Sequence, residues 1–245
     1  PTPNTFTFNV TPVNDAPVNT LPSTFSTNED TAVLLSGISI SDVDAAAGAI
    51  TVTLSVPTGT LLAASGGGVT IGGTVSAMTL TGTLSDINAY LASGSAPQYL
   101  PAPNFNGSVT LTMTTNDGGN TGIDPGTSGT ATSEADTDIA TISITSVNDP
   151  PDAVNDSYTV AEDSGATTFA VLGNDSFAPD TGETLTITGV TQPAGGTVTF
   201  TATGVTFTPN ANFNGTTSFT YTISDGNGGS DTATVTVTIT GTNDA

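Results

Sequence analysis

The stretch Ile142-Ser143-Ile144-Thr145-Ser146-Val147-Asn148-Asp149-Pro150-Pro151 decides the fold, because it joins two patterns that recur along the chain. Its first half alternates apolar and hydroxyl side chains, which is the period of a half-buried β-strand. Its second half is a short acidic joint. A strand followed by such a joint also occurs at residues 6–17 and 237–245. Three joints delimit two complete units, in a chain long enough for two domains.

Two further sequence marks recur once in each unit, in the same order. Asn104-Phe105-Asn106-Gly107 returns as Asn212-Phe213-Asn214-Gly215, and Glu29-Asp30 returns as Glu162-Asp163. Several marks in one order indicate an internal repeat. The first unit is longer by about forty residues, a difference that we expect to lie in loops.

The spacing of the alternating segments predicts an all-β protein. Short strands separated by Gly, Asn, Asp and Pro turns favour antiparallel sandwiches with roughly seven strands each. We therefore predict two tandem antiparallel Greek-key β-sandwiches, end to end, preceded by one orphan strand. Residues 1–12 are predicted to be the last strand of a preceding repeat, 13–148 an enlarged sandwich, and 149–245 a minimal sandwich. The exception is a single helical turn at 85–91, for which Ser85 is a candidate cap.

The charge of the chain limits its partners and its chemistry. It has 22 Asp and Glu and no Lys, Arg, His or Cys. Without basic side chains it has no group to contact phosphate, which argues against nucleic acid and anionic membranes as partners. Disulfides are excluded, and no apolar run is long enough to insert into a membrane. An enzyme would have to rely on a bare hydroxyl or a carboxylate pair, so we expect none.

The clustered acids require a partner from outside the chain. Carboxylates about 4 Å apart repel by roughly 1 kcal/mol in water and by several times more at a protein surface. Calcium takes six to eight oxygen ligands from carboxylates, Asn side chains and backbone carbonyls, all of which are present, whereas zinc or copper would require His or Cys. Several calcium ions are therefore predicted. The competing interpretation is that an Asp beside Gly or Asn only forms a turn.

The second unit resembles the tandem cadherin-like and bacterial Ig-like repeats of giant secreted adhesins, including the extender regions of RTX-type adhesins. The resemblance is carried by Val154-Asn155-Asp156, Leu172-Gly173-Asn174-Asp175, Phe207-Thr208-Pro209-Asn210 and Ser224-Asp225-Gly226-Asn227-Gly228, together with the two recurring marks, and it extends over nearly the whole chain. It implies cadherin-like sandwiches, with calcium at the joints between consecutive domains.

The resemblance also implies which residues hold the metal. An early Glu of one domain, the Asn-Asp joint, and an Asp-x-Asp plus a late Asp of the next domain would converge. The joint that precedes the first unit would use Asn14, Asp15, Asp42, Asp44 and Asp117. The joint between the units would use Glu29, alone or with Asp30, and Asn148, Asp149, Asp175 and Asp225. The segment around Asp175 lacks a strict Asp-x-Asp, so either Asp180 or Glu183 supplies the missing oxygen, or that joint binds fewer ions. The joint after the second unit would use Glu162, Asp163, Asn243 and Asp244.

These implications lead to one main functional hypothesis and two others. The main one is a calcium-rigidified extender of a secreted bacterial surface adhesin, outside the cell, whose partners are neighbouring repeats of the same or identical chains. The alternative is a subunit of an extracellular filament or matrix, joined by strand donation from residues 1–10. The third is ligand recognition by the first unit, through the loop 116–138 and the Gly-rich stretch 65–68.

Overall fold

The computed structural model of the chain describes residues 3–10, 14–45, 48–118 and 135–243. These residues form two compact units, Pro1–Val147 (unit 1) and Asn148–Ala245 (unit 2). Each unit is described by itself. No helix in the described ranges is long and apolar enough to cross a membrane.

Unit 2 is a seven-stranded sandwich, as expected for the minimal repeat. Its strands are β12 (Asp156–Ala161), β13 (Thr167–Phe169), β14 (Thr186–Val190), β15 (Gly196–Thr201), β16 (Gly204–Pro209), β17 (Gly215–Ser224) and β18 (Ser230–Thr240), and a short 3-10 helix covers Val171–Gly173. One sheet has the order β12-β18-β17-β14 and the other β13-β16-β15. The pairing of β12 with β18 is parallel, which departs from the antiparallel expectation, while the other pairings are antiparallel.

The core of unit 2 is built from the apolar faces of its alternating strands. Val235, Val237 and Ile239 point inward from β18, while the threonines between them are half-buried or exposed. Aromatic rings extend this core. The Phe169 ring stacks on Tyr158 at a centroid distance of 4.1 Å and lies 5.9 Å from the Phe207 ring. Burial of these apolar faces is the main favourable contribution to folding.

Unit 1 repeats this arrangement with additional elements. Its strands are β1 (Val18–Thr20), β2 (Thr24–Asn28), β3 (Val33–Leu34), β4 (Ser39–Ser41), β5 (Ala49–Ser55), β6 (Thr60–Leu62), β7 (Thr70–Thr74), β8 (Ala77–Thr83), β9 (Gln98–Leu100), β10 (Gly107–Asn116) and β11 (Ala135–Thr145), and its helix is α1 (Leu84–Leu91). Its sheets have the orders β2-β11-β10-β5-β8-β7, β3-β9-β6 and β1-β4. The β2–β11 pairing is parallel, like its counterpart in unit 2.

The extra length of unit 1 lies largely in ordered elements, so the expectation of loops was wrong for this part. In unit 2 a tight turn joins β15 to β16, whereas in unit 1 residues 63–97 separate the corresponding strands β6 and β9. This insertion forms β7, β8 and α1. Because β8 pairs with β5 and β7 with β8, the insertion widens the large sheet. The loop expected at 116–138 lies largely outside the described residues.

The helix is confirmed, but its cap is Thr83 and not Ser85. The Thr83 hydroxyl accepts a hydrogen bond from the Asp86 backbone N–H at 3.2 Å, and the same hydroxyl donates to the Asp86 carboxylate at 2.8 Å. Helix α1 therefore begins one residue earlier than expected and has eight residues. Ile87, Tyr90 and Leu91 are buried in the core of unit 1.

Residues 3–10 belong to no strand in the described part of the chain. The side chains of Phe6, Phe8 and Val10 are 79%, 87% and 88% exposed. Their assignment to a preceding repeat stays a prediction.

Candidate metal centres

The strand register places two groups of predicted residues at opposite ends of each unit. In unit 2, β17 and β18 pair from Ser224↔Ser230 at one end to Gly215↔Ile239 at the other. Asp225 directly follows the first end, and Asn214 directly precedes the second. A ten-residue strand spans about 33 Å, which separates the two groups. We call them the proximal set (near Asp117 in unit 1 and Asp225 in unit 2) and the distal clamp (around Glu29 in unit 1 and Glu162 in unit 2).

The proximal set of unit 1 brings three predicted carboxylates together. Carboxylate oxygens of Asp42, Asp44 and Asp117 lie within 4.8 Å of one another. The Asp15 backbone N–H donates to Asp44 Oδ2 at 3.1 Å, which attaches the joint segment to the cluster. The preceding residue, Asn14, is buried. Every side chain of this set offers an oxygen atom, which is the type of ligand that calcium prefers.

Asp42 shows the electrostatic strain of this cluster. Its Oδ1 accepts hydrogen bonds from the backbone N–H groups of Asp44 (3.0 Å) and Ala45 (2.9 Å). Its Oδ2 is a buried atom with no hydrogen-bond partner in the described residues. Burial raises the pKa of Asp42, and the adjacent Asp44 carboxylate adds to this effect, although the two backbone amides act in the opposite direction. Because the chain has no basic side chain, this group is neutralised by a proton or by a cation from solution, and the three clustered carboxylates fit a divalent metal ion.

The proximal set of unit 2 is anchored on Asp225. Its Oδ1 accepts hydrogen bonds from the backbone N–H groups of Asn227, Gly228 and Gly229 at 2.8, 3.1 and 3.0 Å. Its Oδ2 accepts from the Asn148 amide at 3.1 Å. Burial alone would raise the pKa of Asp225, but these hydrogen bonds lower it below the ordinary value. Asp225 therefore stays ionised and fixed in position.

Within unit 2, Asp175 and the two alternatives for the missing oxygen, Asp180 and Glu183, have different environments. The Asp149 backbone N–H donates to Asp180 Oδ2 at 2.7 Å, just as Asp15 donates to Asp44 in unit 1. Glu183 Oε1 accepts from the Asn227 side-chain amide at 2.6 Å, beside the Asp225 loop. Asp180 is thus linked to the joint segment, and Glu183 is linked to the loop that surrounds Asp225.

Asp175 has a different environment from the one implied by the resemblance. Its Oδ1 accepts from the Val154 N–H at 2.8 Å and contacts the hydroxyl of Tyr221 at 2.9 Å. That hydroxyl also lies 3.2 Å from Asp156 Oδ2, and Tyr221 is fully buried. Burial, followed by the two carboxylates, raises the pKa of Tyr221 above its ordinary value. Asp175 therefore forms part of an internal Tyr–Asp cluster, and its assignment as a metal ligand stays a prediction.

The distal clamp is almost identical in the two units. In unit 1, Glu29 is 4% exposed, and its Oε1 accepts the Val147 N–H at 2.6 Å. In unit 2, Glu162 is 6% exposed and its Oε1 accepts the Thr242 N–H at 2.6 Å. In both, the other oxygen lies 3.4 Å from an Asn amide, that of Asn106 or Asn214. The clamp thus holds the chain segment that leaves the last strand.

The second acid of each clamp, Asp30 or Asp163, connects the Glu-Asp mark to the Asn-Phe-Asn-Gly mark. Asp30 Oδ1 accepts the Asn104 N–H at 3.1 Å, and Asp163 Oδ1 accepts the Asn212 N–H at 3.1 Å. All four residues have φ between 55° and 59°, a left-handed conformation that Asp and Asn tolerate better than most residues. The sequence alone did not reveal that the Glu-Asp and Asn-Phe-Asn-Gly marks contact each other. Their joint recurrence was the available signal.

The remaining predicted ligands lie at the end of the chain. Asn243 is exposed, and Asp244 lies outside the described residues. Their assignment to a metal site stays a prediction.

Comparisons with known proteins show what the chain is similar to. A model of the bacterial Ig domain family matches residues 148–238. Among solved structures, protocadherin gamma B2 extracellular cadherin domains 1–5 superpose with a TM-score of 0.51 and 17% identity, covering 96% of this chain and 42% of that one. Mouse cadherin-23 EC22–24 gives 0.48 and 16%, covering 94% and 66%. The endo-fucoidan hydrolase MfFcnA4 of glycoside hydrolase family 107 gives 0.31 and 19%, covering 93% and 29%.

These likenesses bear on the fold alone. The protocadherin match agrees with a cadherin-like sandwich, and the two lower TM-scores carry no argument. The chain spans less than two thirds of the length of each of the three structures. No curated protein matches the chain in sequence.

Proposed function

We propose that the chain, whose second unit matches the bacterial Ig domain family and whose fold is cadherin-like, is a calcium-rigidified extender segment of a secreted bacterial surface adhesin. Domains of this type are typically extracellular, structural and without catalytic activity. In the proposed role, the repeats hold distal binding domains away from the cell surface. Its partners would be neighbouring repeats of the same or identical chains.

The observation that carries the proposal is that the acidic residues at the two ends of each unit have different roles. The proximal set of unit 1 gathers three carboxylates within 4.8 Å without a basic side chain. The distal clamp carries a buried Glu that grips the segment leading out of the unit. We propose that calcium bridges the distal clamp of one repeat and the proximal set of the next. Between the two units, Glu29 would then share ions with Asn148, Asp149, Asp180 and Asp225.

Calcium in such a site would supply positive charge and a fixed coordination shell. The carboxylates of Asp149, Asp180 and Asp225 would bind it directly, with the Asn148 side chain as a neutral ligand. The backbone amides on Asp225 Oδ1 hold that carboxylate in place before any ion arrives. A joint closed in this way would resist bending, and rigidity is the proposed activity.

Small-angle X-ray scattering tests the proposal. We expect a stiff particle in calcium and a shorter average end-to-end distance after chelation, because the joint becomes free to bend. The double variant Asp149→Asn/Asp180→Asn should scatter in calcium like the chelated wild type. Asp138→Asn, on β11 and outside both sets, is the matched control and should behave like the wild type. Identical profiles with and without calcium would refute the proposal.

One observation favours a second function, the filament subunit. Phe6, Phe8 and Val10 expose an alternating apolar face with no strand partner in the described residues. Such a segment could complete a sheet in another chain. Deleting residues 1–10 should then abolish concentration-dependent assembly in light scattering. Unchanged assembly after the deletion would exclude strand donation.

A further inference from the structure

The insertion of unit 1 creates an edge strand, β7, that has no counterpart in the described part of unit 2. Within the described residues, β7 is the last strand of the large sheet and pairs only with β8. Strand β6 is likewise the last strand of the β3-β9-β6 sheet. The Leu61 N–H donates to the Val75 carbonyl oxygen at 2.7 Å, which joins the two edges at the turn after β7. On its outer side, an edge strand offers backbone N–H and C=O groups to another strand.

An apolar groove lies between these two edges. It has a volume of about 470 Å³ and is lined by residues 61–63 and 71–75 together with Met78. Apart from Thr74, every lining residue is apolar or glycine. Leu61 and Met78 are buried, whereas Leu62 and Val75 are 40% and 60% exposed. Ligand pockets have volumes of about 300–1,000 Å³, so the groove is large enough to receive side chains from another chain.

The segment 4–10 has the pattern that an added strand requires. Its apolar residues Phe6, Phe8 and Val10 alternate with polar residues. The three apolar side chains are exposed and belong to no strand in the described part of the chain. In an extended conformation they would all lie on one face, and the polar side chains on the other. A strand formed by this segment beside β7 could therefore direct its phenylalanines into the groove.

Charge also favours contact between these two surfaces. The chain has a net charge of −22, so two copies repel wherever their carboxylates approach. Residues 1–14 contain no Asp or Glu, and neither does the stretch 45–85, which includes β6, β7 and the groove. Contact between these stretches brings none of their side-chain charges together. The N-terminal segment of a second copy therefore fits the groove in both its apolar pattern and its charge.

We propose that residues 4–10 of one copy add as a strand to the β7 edge of a second copy, with Phe6 and Phe8 in the groove between β6 and β7. The donor and the acceptor are different surfaces, so repeated donation joins copies head to tail in an open chain. The inference rests on the filament function proposed above and names the surface that accepts the strand.

Sedimentation velocity of the full chain in chelator tests the acceptor, because the proposed calcium bridges are then absent. We expect the wild type to form larger species as its concentration rises. Val75→Asp should raise the Kd of self-association about tenfold or more, since docking would bury a charge. Phe8→Ser should weaken association from the donor side, and it leaves the fold intact because Phe8 is 87% exposed.

The matched control is Phe200→Asp on β15, an edge strand of unit 2. Strand β15 also lies in an uncharged stretch, residues 184–224, and Phe200 is 43% exposed. This variant adds the same charge at an exposed apolar position away from the groove. Its association Kd should stay within about threefold of the wild type.

Disulfide cross-linking tests the strand geometry, because the chain has no cysteine of its own. Thr70→Cys on β7 is mixed with a second protein that carries one cysteine between positions 4 and 10, so a mixed disulfide joins two copies. Ile71 lines the groove, so its neighbour Thr70 faces the other side of the sheet. Cysteine at Thr7 should cross-link about fivefold more than cysteine at Phe6 or Phe8, whose Cβ atoms would point away from residue 70.

The outcomes separate the acceptor from the filament function. If the wild type does not associate in chelator, both are wrong. If Phe8→Ser weakens association but Val75→Asp does not, or if Phe200→Asp weakens it instead, strand donation stands and the β7 acceptor is wrong. Equal cross-linking at odd and even positions would also overturn the acceptor. A complex that stops at the dimer, with the expected cross-links, would support the β7 acceptor and contradict the filament, because mutual exchange closes the pair.

Discussion

Removing the distal clamp of unit 2 should destabilise that unit even without calcium. Glu162 Oε1 accepts the Thr242 N–H at 2.6 Å in a site that is 6% exposed. A hydrogen bond to a charged group contributes about 1.5–3 kcal/mol, and the 3.4 Å contact with Asn214 adds little. We expect Glu162→Ala to lower the free energy of unfolding of unit 2 by about 2 kcal/mol. For a domain of this size, that corresponds to a fall in Tm of about 8–16 °C.

Calorimetry in chelator measures this effect, and two variants make it specific. Glu162→Gln keeps a neutral acceptor for Thr242, so it should lose only about 1 kcal/mol. Glu29→Ala removes the equivalent bond to Val147 and should lower the Tm of unit 1 instead. Amide signals of Val237 and Leu111, one in each core, assign the transitions to the units. A Glu162→Ala protein that melts with the wild type, or a Gln variant as unstable as the Ala variant, would refute the reasoning.

Three further predictions concern other parts of the chain. Gly229→Ala should weaken calcium binding to unit 2 in titration calorimetry, because a Cβ there would overlap the carboxylate of Asp225. Burial raises the pKa of Asp156, so its ionisation opposes folding as the pH rises above the ordinary value of 3.8, and Asp156→Asn should stabilise unit 2 in urea unfolding at pH 7 and have no effect at pH 3. Thr83→Ala should destabilise unit 1 by about 1 kcal/mol in the same assay, because α1 loses its cap.

The strands were predictable because their side chains alternate strictly. Residues 219–223 and 233–239 place an apolar residue at every second position, and in the structure those positions are buried. Strand pairing then brought Asp42 and Asp44, in the loop after β4, together with Asp117, which follows β10. The order of acids along the chain was therefore enough to find the proximal set of unit 1.

The insertion in unit 1 was less predictable because the difference in length between the units does not show where the extra residues lie or what they form. The alternation in Ala77–Thr83 fits a strand, but nothing local says that it pairs with β5. The helix cap had a clearer signal, because Thr83 and Asp86 have the spacing of reciprocal capping. Ser85, two residues later, has the same hydroxyl, so residue type alone did not separate them.

The environment of Asp175 shows what a motif without its register leaves open. Asn174-Asp175 lies where the resemblance implies the Asp-x-Asp, but the 3-10 helix at Val171–Gly173 and the bridge between Asp152 and Ser176 direct that segment toward Tyr221. Asp180, five residues later, takes the place of Asp44. The register became visible only through the hydrogen bond from Asp149.

The carboxylates at the two ends of each unit are stabilised in different ways. In a chain with no basic side chain, a carboxylate is stabilised by N–H or O–H donors or by an ion from solution. Glu29 and Glu162 accept N–H donors, so each distal clamp holds its own chain segment without metal. Asp42 and Glu183 each keep one buried oxygen that has no hydrogen-bond donor among the described residues. Loss of calcium should therefore loosen the proximal ends first, while both cores and both distal clamps stay folded.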